Sequence, residues 1–143
     1  MLITAGTQQA VFLIANLLVS TGEKVWLEDP CHLGASDVMS AIGADAARIP
    51  VDEEGFDWAR AARTGKPAKL VYVTPSRQFP LGMTMTLQRR LGLLEWAKEN
   101  DAWVIEDDYD SEFRYSGRPL PSLQGLDRAG RVLYIGTFSK TVF

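Results

Sequence analysis

Short apolar runs of strand length alternate along this chain with stretches of helical period, and that alternation restricts the fold more than any single motif does. The runs Lys24 to Glu28, Ala46 to Val51, Lys69 to Thr74, Ala102 to Ile105 and Val132 to Ile135 carry little period-two polarity, so they read as strands covered on both faces. Between them the spacing predicts helices. One carries Val11, Phe12, Ile14, Ala15, Leu17 and Leu18 and stops at Gly22; a second runs from His32 to Ile42 and ends at Gly43. A short helix is expected over Phe56 to Ala62. The strongest, Thr86 to Asn100, turns Leu87, Leu91, Leu94, Trp96 and Ala97 inward and Gln88, Arg89, Glu95 and Lys98 outward. Pro75 and Pro80 bound a loop. Strand-helix alternation of this kind defines an α/β fold, a three-layer α/β/α arrangement around a mainly parallel sheet.

With 143 residues the chain suits a single domain. A formal charge of -3 with scattered Lys and Arg gives no phosphate-neutralising surface. The longest apolar stretch, Ala10 to Val19, contains Asn16 and is too short to span a bilayer. No export signal precedes it, so a cytoplasmic location is expected. Cys31 is the sole cysteine and His32 the sole histidine. That excludes an internal disulfide and a Cys/His zinc site, and no metal is expected.

Two segments carry the chemistry. The acidic run Glu106-Asp107-Asp108-Tyr109-Asp110-Ser111-Glu112-Phe113-Arg114 follows one apolar strand, and Gly136-Thr137-Phe138-Ser139-Lys140 follows another. Carboxylates and a lysine therefore leave the carboxyl ends of strands, where open α/β sheets place ligands. A lysine amine reacts with an aldehyde, and a carboxylate holds a pyridinium nitrogen protonated; pyridoxal 5'-phosphate (PLP) needs both groups. Taken alone, the acidic run reads better as a solvated loop than as a site. Gly6-Thr7-Gln8 opens the first helix, either as a phosphate-binding turn or as an ordinary cap. Thr137 and Ser139 supply further hydroxyls for a phosphate.

These phrases resemble the large domain of fold-type I PLP enzymes of the class I/II aminotransferase group, most closely the aminotransferase-like domain of MocR/GabR-type bacterial transcription regulators. The resemblance runs through AGTQQA, VWLEDP, VTPSRQFPLGMTM, WVIEDDYDSEFRY and LYIGTFSK and covers essentially the whole chain. It implies Lys140 as the Schiff-base lysine, Asp107 as the partner of the pyridine nitrogen and Tyr109 as the partner of the ring oxygen. Gly6, Thr7 and Gln8 match the phosphate turn, with Thr137 and Ser139 adding contacts. His32 falls where relatives have a tyrosine that stacks on the ring; an imidazole offers less area, and Leu33 replaces a usual Pro or His. Phe79 stands where true aminotransferases have an asparagine that bonds the cofactor, which favours the regulator over the enzyme.

The resemblance also implies what the parent protein contains. An N-terminal DNA-binding module and a C-terminal small domain are expected outside residues 1–143, which read as a partial large domain. A homodimer, an amino-acid or amine effector or substrate, and DNA contact only through the N-terminal module follow from the same likeness. Cut from its substrate-orienting parts, the segment is expected not to transaminate. The alternative is a segment of a genuine PLP-dependent amino-acid aminotransferase.

Overall fold

A computed structural model of the chain describes residues 1–65, 67–109 and 120–138. The elements follow the expected alternation: α1 (Thr7–Leu18), β1 (Lys24–Asp29), α2 (Leu33–Ala41), β2 (Asp45–Asp52), β3 (Gly55–Phe56), α3 (Trp58–Arg63), β4 (Leu70–Val73), α4 (Leu87–Glu99), β5 (Trp103–Asp108), α5 (Leu123–Leu126) and β6 (Val132–Gly136).

The strands form one sheet in the order β3-β2-β1-β4-β5-β6. All neighbours pair in parallel except β2 and β3, which are antiparallel. Chain order runs outward from β1 to β2, then returns to the other side of β1 through β4, so the order reverses between β1 and β4. In a doubly wound sheet that reversal opens a crevice at the carboxyl ends of the strands. Right-handed crossovers in opposite directions also put α2 on one face and α3, α4 and α5 on the other.

The core divides accordingly. On one face Val11 and Ala15 of α1 and Ala35, Val38 and Met39 of α2 meet Val25, Leu27, Leu70, Tyr72, Ile105 and Ile135. On the other, Leu93, Trp96 and Ala97 of α4 and Leu123 of α5 meet Trp26, Val71, Val73 and Val104. Trp26 stacks on Trp96 with ring centroids 4.3 Å apart, a contact worth about 0.5–1.5 kcal/mol beyond its burial. Each strand alternates its side chains between the two clusters, so Tyr72, Ile105 and Asp107 share the α1/α2 face. No described helix is long and apolar enough to cross a membrane.

Two local expectations are corrected. The short helix begins at Trp58, capped by the Asp57 carboxylate accepting from the Arg60 N–H at 3.1 Å; Phe56 belongs instead to β3, paired with Val51. In α4, Leu87 and Leu91 are exposed, Leu93 is buried, and Arg90 is only 1% exposed. Arg89 does not face outward either: its guanidinium pairs with Asp52 and Glu54. The inward rotation follows from Arg90, whose guanidinium donates to the carbonyls of Met85, Pro75 and Pro121 at 3.0, 2.7 and 2.9 Å. Those three bonds join both ends of the 75–85 loop to the segment entering α5.

Candidate functional site

Strand β5 carries its acidic residues into the protein. Glu106, Asp107 and Asp108 lie within the strand and are buried, which rules out a solvated acidic loop for these three. Each carboxylate has its own anchor. Glu106 points to the α4/α5 face and accepts from the N–H groups of Leu123 and Gln124 at 2.8 and 2.9 Å, the first turn of α5, where a helix presents unsatisfied donors. Asp108 accepts from the Tyr134 hydroxyl at 2.8 Å.

Asp107 is built differently. Its Oδ2 accepts from the Tyr72 hydroxyl at 2.5 Å, while Oδ1 is buried with no hydrogen-bond partner among the described residues. Tyr72 pairs with Ile105 in register, two residues before Asp107 on the same face, so the phenol reaches along the sheet to the carboxylate. Burial pushes the Asp107 carboxyl above the usual range; the Tyr72 hydrogen bond and the nearby His32 pull it partly back, and Asp108 adds to the rise. A buried acceptor left unmade costs roughly 1–3 kcal/mol, and a cationic N–H donor is the group that best removes that cost. The ring nitrogen of a protonated pyridine is such a donor, so the residues present fit PLP.

Around this carboxylate the ends of β1, β4 and β5 bring aromatic side chains together. Phe79 stands edge-on to His32, centroids 5.6 Å apart, and edge-on to Tyr109 at 6.1 Å. The structure therefore places Phe79 against both His32 and Tyr109, and Tyr72 against Asp107.

The Gly6-Thr7-Gln8 turn lies at the same edge. The bond from Gln8 to Gly34 sets the N-terminus of α1 beside the segment that leaves the carboxyl end of β1. Gly6 is the N-cap at φ 141°, ψ 172° and makes no side-chain cap bond; that φ is strained for any residue with a Cβ. The first-turn N–H groups are the donors that helix starts offer to anions. Gln8 ties this turn to α2, donating from Nε2 to the Gly34 carbonyl at 2.9 Å. The fit is close: a Cβ on Gly34 would overlap Gln8 Oε1 and come within 2.9 Å of His32 Cε1. Thr137 leaves β6 at this edge, half-buried. Ser139 and Lys140 lie outside the described residues.

Glu28, Thr74 and Gln78 are further polar residues buried here. Sequence reasoning passed over them and over Tyr72. The available signal was a polar residue ending an apolar run, Glu28 after Val25-Trp26-Leu27 and Thr74 after Leu70 to Val73.

A doubly wound α/β domain with a buried carboxylate oxygen unsatisfied among the described residues, a cluster of aromatic side chains and a glycine-capped helix start defines a class of cofactor-binding domains. Comparison with known proteins narrows it. Residues 1–142 match the family aminotransferase class I and II. The chain is 44% identical over 142 residues to the probable rhizopine catabolism regulatory protein MocR of Rhizobium meliloti, covering 99% of this chain and 28% of that protein. It is 52% identical over 115 residues to the HTH-type transcriptional regulator YdeL of Bacillus subtilis, covering 80% of this chain and 24% of that one. Among solved structures, the kynurenine aminotransferase of Pyrococcus horikoshii, crystallised with PMP, superposes with a TM-score of 0.90 at 40% identity, covering 96% of this chain and 36% of that chain. This chain belongs to the aminotransferase class I and II family. Membership implies pyridoxal phosphate as the cofactor class. The chain spans about a quarter to a third of the length of these relatives.

Proposed function

We propose that this chain is the PLP-binding part of an aminotransferase-like domain that senses an amine or amino acid in a MocR/GabR-type transcription regulator. The observation that carries the cofactor reading is the buried Asp107 Oδ1, without a hydrogen-bond partner among the described residues, on a carboxylate fixed by Tyr72 at the opposite oxygen. The regulator reading rests on the likeness to MocR and to the HTH-type YdeL and on Phe79 in the asparagine position. In such a parent, DNA contact belongs to a separate N-terminal module, and the protein is a cytoplasmic homodimer.

When bound, PLP supplies an aldehyde carbon and an electron-withdrawing ring. Asp107 would hold the ring nitrogen protonated through Oδ1. Tyr109 would bond the ring oxygen, and His32 and Phe79 would limit the ring face. Gly6, Thr7 and Gln8, with Thr137 and Ser139, would receive the phosphate at the start of α1. Lys140 would provide the amine that an effector competes with. In the regulator, exchange of that amine is a binding event that shifts the domain between conformations.

Titration of the full chain with PLP, borohydride reduction and peptide mass mapping test this reading. The expected result is cofactor mass on the Lys140 peptide, absent in K140A and reduced in D107N. Modification of surface lysines alone contradicts it. The second reading, a segment of a genuine amino-acid aminotransferase, is favoured by the likeness to the Pyrococcus enzyme; transamination by the parent protein without operator binding would select it.

A further inference from the structure

Glu28, at the end of β1, is 1% exposed and takes no part in the chemistry above. Its carboxylate accepts from the Thr74 N–H at 3.2 Å through Oε1 and from the Thr74 hydroxyl at 2.7 Å and Gln78 Nε2 at 3.2 Å through Oε2. These partners are neutral. Such a buried, connected network rigidifies what hangs from it.

What hangs from it is Phe79. The Thr74 hydroxyl, its proton directed to Glu28, accepts from the Phe79 N–H at 3.0 Å. The two N–H groups of Gln78 Nε2, shared with Glu28, also reach the Phe79 carbonyl at 2.7 Å and the Pro30 carbonyl at 2.8 Å, and Gln78 Oε1 accepts from the Leu81 N–H at 3.0 Å. Both backbone polar groups of Phe79 are therefore held by the two residues bonded to Glu28. The Pro30 link ties the same network to the segment that leads into His32. With β1 and β4 adjacent at the reversal of strand order, the network closes the floor of the crevice between them.

We propose that Glu28 is a positioning residue for the ring-facing wall: acting through Thr74 and Gln78, it fixes the Phe79 backbone and so the edge contacts of Phe79 with His32 and Tyr109. An amide in place of the carboxylate has one acceptor oxygen against three converging donors, so at least one donor is opposed by another N–H. The inference that this wall meets PLP rests on the proposed function; the backbone effect does not.

The test uses the full chain without added cofactor and then with PLP. Amide hydrogen exchange read by NMR is expected to accelerate about tenfold or more at Phe79 in E28Q, while Val104 and Ala15 in the core exchange as before. T74V, which removes the bridging hydroxyl, is expected to reproduce the effect, and T74S to preserve protection; this pair serves if E28Q does not fold. With PLP, E28Q and T74V are expected to bind about three- to thirtyfold more weakly and to change the visible circular dichroism of the bound ring. Unchanged Phe79 exchange in the variants overturns the proposal. So does accelerated exchange with cofactor affinity and dichroism unaltered. If the wild-type chain takes up no PLP, the cofactor reading fails separately and the exchange result alone decides the role of Glu28.

Discussion

The Tyr72 hydroxyl donates to Asp107 Oδ2 at 2.5 Å, and the other oxygen of that carboxylate is left without a described partner. One bond thereby fixes the direction in which Asp107 offers itself to a ligand. Removing only the hydroxyl, in Y72F, leaves two buried acceptor oxygens where there was one. A loss of roughly 1–3 kcal/mol in stability is expected, read by urea denaturation, with weaker PLP binding in a titration. Equal stability and affinity would mean that the phenol is a bystander.

The D107N substitution separates stability from function. Its amide oxygen can accept from Tyr72 while the charge that burial opposes is gone. Thermal unfolding of the ligand-free chain is expected to change by no more than about 1 kcal/mol, yet PLP affinity should fall at least about tenfold because the ring nitrogen loses its anionic partner.

Much of this was legible in the sequence, for identifiable reasons. Parallel strands buried on both faces leave continuous apolar runs, so β1, β4 and β5 were readable and Asp107 could be placed at a strand end. Tyr72 was not, because inside Leu70–Val73 it reads as one more β-forming residue and its hydroxyl partner is 35 positions away. The face of α4 is not legible from its pattern because Arg90 counts as polar there, although three backbone carbonyls satisfy its buried guanidinium. Glu28 and Gln78, 50 positions apart, meet only through the adjacency of β1 and β4. The four-residue α5 is too short to show a period.

Arg90 should therefore be costly to replace. R90M keeps the apolar stem but takes the side-chain donor from the carbonyls of Met85 and Pro121, leaves Pro75 only the Met85 N–H, and removes the cation 4.0 Å from buried Glu106. A destabilisation of roughly 3–5 kcal/mol is expected from denaturant unfolding.

Stability should also carry the signature of Glu28. Burial, the largest influence, pushes its carboxyl from the ordinary 4.5 up to about 7, against the hydrogen bonds from Thr74 and Gln78. Because the folded value is raised, the stabilising contribution is complete below about pH 4.5 and is lost as pH rises through about 7. E28Q does not titrate, so from about pH 5 to pH 8 its stability relative to wild type should rise by on the order of 2–3 kcal/mol. Glu106, also raised by burial, is present in both proteins and cancels in the comparison; Asp107, whose charge adds to the rise at Glu28, is coupled to it and contributes in the same direction.

The most direct test follows the ring nitrogen itself, using PLP isotope-labelled at that atom and bound to the full chain at about pH 8, where an anionic partner is needed to keep it protonated. The expected NMR shift is that of a protonated nitrogen in the wild type and of an unprotonated one in D107N. An unprotonated nitrogen in the wild type, or the same protonated shift in both, would contradict the assignment of Asp107.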